Sequence, residues 1–246
     1  MSRYAVVAVA MCAVVLAGST AFAAPTVDEL FKMIADKQGT IKTMQGDLAM
    51  KMNMPEGGGV MNGTGRITTA TAEVDGKTVT KMHQIVKSTM DAGGMSMNMD
   101  MKMVNDGRFL WMERRMSGMP MAMPVQVTKA KPGQGQTVGE SVEEMKKNFD
   151  FTGTGEESID GKKMYTLEGK PKAGAAKSDM GGEIKKVKYY FDQSTLVMRR
   201  MVMFGADGKE FNRFDLTNVK LNEAVDMKLF EYTPPAGAVV RDMTNR

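Results

Sequence analysis

From Met95 to Met103 a methionine stands at every second position, with Ser96, Asn98, Asp100 and Lys102 between them. A repeat of two is the repeat of a β-strand, so the five thioethers share one side of a sheet and the polar residues share the other. Met50-Lys51-Met52-Asn53-Met54 repeats the pattern, and Met119-Pro120-Met121-Ala122-Met123-Pro124 forms a third run in a chain that holds 28 methionines in 246 residues. Methionine is unbranched, flexible and polarizable, and it lines surfaces that fit partners of variable shape. Something must lie against this long apolar sheet face: ordinary core, a greasy ligand or a soft metal ion.

The first residues read as a secretory leader rather than as part of the fold. Arg3 gives a positive start, Ala5 to Ala17 is apolar but shorter than the roughly 20 residues a bilayer span needs, and Ala21-Phe22-Ala23 is a small-x-small cleavage site. Residues 1–23 are therefore predicted to be a signal peptide and 24–246 a single domain. Ser19 stands where a lipobox would have its cysteine, so the exported chain is not expected to be lipid-anchored to a membrane. Cys12 is the only cysteine and leaves with the leader, so the mature chain has no disulfide, no thiol nucleophile and no thiolate metal site. Net charge is +4, one less without Arg3. The basic residues are interleaved with acids and no aromatic ladder accompanies them, which speaks against a nucleic-acid partner.

Thr26-x-x-Glu29 is a capping box, and Val27, Leu30, Phe31 and Ile34 recur at helical spacing. They predict an amphipathic helix from Thr26 to about Met44 whose apolar stripe needs a sheet to cover. Most of the remaining chain reads as strands joined by tight turns at Asp75-Gly76, Asp91-Ala92-Gly93-Gly94, Asp106-Gly107, Asp160-Gly161 and Asp207-Gly208. Short strands at regular spacing with such turns mean an antiparallel meander. Arg114 to Pro132 contains Pro120, Pro124 and Pro132, too many for a central strand, and reads as a loop or lid over the apolar face. Ser141 to Asn148 reads as helix, Lys170 to Gly182 as a surface loop, and Asp226 to Phe230 as a short helical turn. The class is α+β, mainly antiparallel β.

Enzymatic constellations are absent from the sequence. His83 is the only histidine, and no Gly-x-Ser-x-Gly elbow exists for a nucleophilic serine. Gly57-Gly58-Gly59 lacks the Lys-Ser/Thr of a phosphate loop. Glu140, Glu143 and Glu144 ahead of Lys146 and Lys147 suit a helix dipole and need no further role. No cofactor is indicated.

The strand pair Leu196–Phe204 and Lys209–Val219 around Ala206-Asp207-Gly208, then Asn222, Phe230 and the ending Pro234-Pro235-Ala236-Gly237-Ala238-Val239-Val240, resembles the LolA-like family of periplasmic lipoprotein carriers. The opening helix leading to Gln45-Gly46-Asp47-Leu48 is similar too. The resemblance implies a curved half-barrel sheet with helices and a loop covering its concave face, and a cavity that holds acyl chains of a lipoprotein or lipid. It also implies membrane-bound donor and acceptor proteins as partners, or, in some members, an envelope-stress sensor role. Family carriers hold the lid shut with a buried basic residue of the sheet, for which Arg66 and Arg108 are candidates by position.

Three readings of the methionines stay open. In one they are core and the chain is a structural domain. In the second, Met50, Met52, Met54, Met97, Met99, Met101, Met103, Phe109 and Trp111 line a lipid cavity with Leu30 and Ile34, under a lid bearing Met116, Met119, Met121 and Met123. The run Met95–Met103 would span about 26 Å at ~3.3 Å per residue, comparable with an extended acyl chain. In the third the protein is a periplasmic, methionine-rich Cu(I) binder, since thioethers are soft ligands. Its ligands would be Met119, Met121 and Met123, with Met82 and His83.

Overall fold

The computed structural model describes residues 24–53, 59–92, 94–118, 123–131, 142–173 and 183–244. Helix α1 (Val27–Gln38) begins as its capping box dictates. The Thr26 hydroxyl accepts the Glu29 N–H at 3.3 Å, and the Glu29 carboxylate accepts the Thr26 N–H at 2.8 Å. The helix stops at Gly39 instead of running to Met44, because Thr43 and Met44 already belong to the first strand. A second helix, α2 (Val142–Asn148), falls where the sequence predicts helix.

The described strands make one sheet: β1 (Thr43–Asn53), β2 (Val60–Val74), β3 (Lys77–Ala92), β4 (Met95–Asn105), β5 (Leu110–Ser117), β6 (Gln126–Ala130), β7 (Phe149–Ile159), β8 (Lys162–Pro171), β9 (Lys186–Asp192), β10 (Met198–Phe204), β11 (Glu210–Leu221) and β12 (Val239–Asp242). Their spatial order is β12-β6-β5-β4-β3-β2-β1-β11-β10-β9-β8-β7. Among them only the β12–β6 pair is parallel. The end strands β12 and β7 do not pair with each other, so the sheet of described residues stays open.

Two predicted loops are partly sheet. Arg114 to Ser117 complete β5 and Gln126 to Ala130 form β6, so Met116 belongs to a strand rather than to a lid. The prolines of that stretch all fall outside both strands, which is how the sheet tolerates them. Lys170 and Pro171 close β8 instead of opening a loop. Met54, Met119, Met121 and the leader lie outside the described residues.

One face of the sheet carries two apolar clusters. In the first, Leu30, Phe31 and Ile34 of α1 and Met145 of α2 pack with Leu167, Val187, Tyr189, Phe191 and Met203. In the second, Leu48, Ile67, Met82, Val86, Met103, Leu110 and Leu216 bury one another, joined by Val197, and no described helix residue takes part. Among the described residues no helix covers this second cluster, and strands that bend toward that face bury it further. Gly65, in mid-strand, marks one bend. A Cβ there would point into the second cluster and lie 1.9 Å from the Ile85 carbonyl oxygen, so β3 rises beside it toward the same side.

The opposite face is covered at β3 and β4 by the C-terminal segment, through the 3-10 helix Met227–Phe230, whose Phe230 is 1% exposed. Beyond it β12 adds to the edge beside β6.

The close approach at Gly65 gives a test of the bend. Gly65→Ala should lower stability by about 1–3 kcal/mol, read from urea denaturation midpoints. Gly153→Ala, where nothing lies within 4 Å of the added carbon, should change it by no more than about 0.5 kcal/mol. Equal effects at the two positions would mean that the sheet is not bent at Gly65.

Candidate functional site

Strand register turns the methionine runs into a surface. Met52 faces Met61 across β1–β2, Met61 faces Met90 across β2–β3, and Met90 faces Met97 across β3–β4. Four thioether side chains thus stand side by side in one row over four strands. The row continues through Asn212, opposite Met52, to Met203. The next row runs Met50, Gly63, Ser88, Met99 and Met116, and another runs Ile67, Gln84, Met103 and Met112. Directly opposed side chains on one face of a sheet have Cβ atoms about 4.5–5.5 Å apart, so these rows form a continuous apolar field.

The field is not uniformly closed. Met52, Met61, Val86 and Met103 are 3–6% exposed, whereas Met90, Met97, Met99 and Met101 are half-buried and Met116 is exposed. Two polar groups sit within it. Asn212 is buried and its amide donates to the Met203 sulfur at 4.0 Å. The Oδ1 of Asn212 and the Oε1 of buried Gln84 have no hydrogen-bond partner among the described residues. An acceptor left so costs about 1–3 kcal/mol.

The same register places the predicted residues. Met50, Met52, Met97, Met99, Met101 and Met103 share the face, and Met116 joins them from β5. Leu30 and Ile34 lie on the same side but at its far end, against the aromatic cluster over β8–β10. Phe109 and Trp111 do not line this face. Trp111 pairs with Val104, which pairs with His83, all on the opposite side, and Phe109 packs edge-on against Trp111. Met82 and His83 are likewise split, because successive strand residues point to opposite faces. His83 therefore cannot complete a copper site with Met82. Burial, and then the charge of Lys102, hold its imidazole below the usual range. Arg66 and Arg108 are not buried latches either: each is exposed and paired, with Asp47 and Asp75. Met61, Met90 and Met112 also belong to the field, yet each lies outside any Met-x-Met run and so carries no local mark of its place.

The opposite face carries the polar chemistry. Lys87, Asp100, Lys102, Glu113 and Arg115 surround a shallow depression beside Ile85. Glu113 accepts from Arg115 Nε at 2.6 Å and from the Tyr232 hydroxyl at 2.7 Å. The Tyr232 ring lies 5.4 Å from the Trp111 ring. The indole N–H of Trp111 donates to Asp106 at 3.1 Å, and Lys129 sits 3.9 Å over Phe109. The contacts of Tyr232 with Glu113 and Trp111 strap the C-terminal segment to the sheet.

No family model and no curated protein matches the chain. Among solved structures it is similar to MucB (13% identity, 85% of this chain, TM-score 0.47), a protein also solved in the Pseudomonas aeruginosa MucA/MucB complex. The chain spans 63% of the MucB chain. It is also similar to a DUF1329 family protein from Desulfovibrio piger (14%, 84% of this chain and 97% of that one, TM-score 0.39). A third is a LolA superfamily protein from Nitrosomonas europaea (14%, 81% and 97%, TM-score 0.25). Likenesses of this degree carry no argument about cargo, partner or activity. The antiparallel pairing and the two helices agree with the open, mainly antiparallel α+β sheet expected from the sequence.

Burial alone would raise the Glu113 carboxyl, but the bonds from Tyr232 and Arg115 outweigh it and hold the group below its usual 4.5. Burial, and then the bond to Glu113, raise the Tyr232 phenol. A carboxyl with a lowered folded pKa contributes stability that is present above its unfolded pKa and is lost as pH falls through the folded one. Below pH 4.5 the melting temperature should therefore drop more steeply in the wild type than in Tyr232→Phe. Parallel melting curves down to about pH 3 would show that the strap does not depend on this carboxylate.

Proposed function

We propose that this chain is a periplasmic binding protein, exported by its leader, that holds acyl chains of a lipoprotein or lipid against the methionine face without covalent chemistry. One observation carries the reading. The rows of methionine between β1 and β5 form an apolar field on which no described helix packs, continuous with a helix-covered aromatic core. Flexible thioethers repack around chains of different length, and they fill part of the space again on release. The unpartnered amide oxygens of Gln84 and Asn212 suit a cargo that brings an amide N–H or a hydroxyl alongside its chain.

Ten methylenes leaving water supply roughly 8 kcal/mol, against an association cost of ~4–15 kcal/mol. Retention thus calls for one long chain or two. Release needs a partner that binds the cargo better, or binds the open form of the protein better, since equal hold in both forms shifts nothing.

Protein purified from an envelope extract should carry lipid detectable by mass spectrometry. The variant Met97→Asp/Met99→Asp/Met101→Asp should lose it while keeping its circular dichroism spectrum. Lipid-free wild type, or unchanged lipid in the folded variant, would refute the reading.

A further inference from the structure

An acyl-binding role uses the methionine face as a greasy wall and leaves its sulfur unemployed. At the solvent end of the face the register gathers four thioethers. Met90 faces Met97 across β3–β4, Met99 faces Met116 across β4–β5, and Met97 and Met99 are successive residues on one side of β4. Opposed positions lie about 4.5–5.5 Å apart at Cβ and diagonal ones about 7–8 Å. Met90 and Met116 stand two strands apart, too far for both to reach one ion, but with three rotatable bonds each Met97 and Met99 can turn their sulfurs onto a common point together with either of them, a three-sulfur set that a single strand stripe does not offer.

We propose that Met90, Met97, Met99 and Met116 form an all-thioether site for Cu(I). Three observations support it beside the register. Access is the first: these four are half-buried or exposed, whereas Met52 and Met61, which continue the same row inward, are 5% and 3% exposed and serve as packing. The donor set is the second. Asn98, Asp100 and Lys102 of β4 and His83 of β3 face the other side of the sheet, and the Ser88 hydroxyl, on this side, is already donated to the Met99 carbonyl. Among the described residues what remains is soft sulfur, which selects Cu(I) over Zn²⁺, Mg²⁺ or Ca²⁺. Charge is the third: Arg114 stands opposite Met101 in the adjacent row and is exposed. Its positive charge penalises a divalent ion more than a monovalent one. Thioethers carry no proton at ordinary pH, so the site has none to release on binding, unlike one built on cysteine or histidine.

The test uses the full chain with Cys12→Ser, so that no thiol contributes. Under anaerobic conditions it should withdraw one equivalent of Cu(I) from bathocuproine disulfonate, equally well at pH 7 and pH 5. Ag(I) should bind in the same way and Zn²⁺ should not. Leucine keeps the apolar bulk of methionine without its sulfur. The variant Met90→Leu/Met97→Leu/Met99→Leu/Met116→Leu should weaken Cu(I) binding at least 100-fold when it and the wild type are compared lipid-free, so that the outcome does not depend on the acyl-binding role. Met52→Leu/Met61→Leu and His83→Ala should change Cu(I) affinity less than threefold. X-ray absorption of the loaded wild type should show sulfur neighbours alone, a readout that stands even if the quadruple variant does not fold. The proposal fails if the wild type takes no Cu(I) from the chelator, if binding collapses at pH 5, if nitrogen neighbours appear, or if the folded quadruple variant binds as tightly as the wild type.

Discussion

Register is the constraint on which the methionine surface depends. Side chains along a strand alternate with a period of two, so slipping β4 by one residue against β3 would send its thioethers to the polar side and bring Asn98, Asp100 and Lys102 inward. Two tight turns hold the register. Asp75 and Gly76 both adopt positive φ, 51° and 74°, the geometry of a type I′ hairpin turn whose twist matches the strands it joins. The β3–β4 connection is equally short, with Ala92 opposite Met95. Between these turns β2, β3 and β4 have no slack, and Met61, Met90 and Met97 come level.

The apolar face that results is built from two materials. At the β8–β10 end, aromatic rings interlock under α1 and α2: Phe31 meets Phe151 edge-on at 5.1 Å, and Tyr189 lies 6.0 Å from Phe151 and 6.2 Å from Phe149. Such a core has few alternative packings. At the β1–β5 end the field is methionine, interrupted by Gly63, Gly65 and Ser88; the space a side chain would take at Gly63 is filled in part by the Met50 methyl, 3.2 Å from where a Cβ would stand. A rigid half thus anchors the helices while an adaptable half keeps its face open to partners. The segment from Phe230 to Asp242 packs on the outer side of the methionine half, through Tyr232 on Glu113 and Trp111 and through β12 beside β6.

Much of this is legible in the residues. The turn dipeptides locate the hairpins, the capping box fixes the start of α1, and the two-residue repeat assigns the methionines of β4 to one face. The register is legible too. Met61 lies fourteen places before Asp75 and Met90 fourteen after Gly76, while Met90 lies three before Gly93 and Met97 three after Gly94. Pairing by equal distance from a tight turn sets all three opposite one another. The same counting gives the face of Trp111, though not its partner. Counting from Asp106-Gly107 sets Trp111 opposite Lys102, and the actual four-residue connection, 106–109, sets it opposite Val104, on the same polar face; its apolar character, not its position, suggests the cavity. The middle of the chain hides its strands for a different reason. Proline density suggests a loop over the whole stretch from Arg114 to Pro132, although a strand needs only the few residues between prolines, and β6 has five. No local signal announces β12 either, since its parallel pairing with β6 joins residues more than 110 apart in the chain.

The choice of methionine over leucine is what distinguishes this face from a plain core. For burial the two are nearly equivalent, and leucine specifies a packing better because its rotamers are fewer. A sheet face selected for stability alone has no reason to favour the looser residue in four adjacent strands. Methionine adds two properties that leucine lacks, torsional freedom and a soft donor atom. Torsional freedom matters throughout the field, wherever a guest of variable shape must be fitted and then let go. The donor atom would matter only where several sulfurs meet and solvent can reach them, which among the described residues points to the Met90–Met116 corner. The proposed acyl binding and copper binding would therefore make separable demands on one surface: the first on its area and plasticity, the second on the identity of a few sulfur atoms.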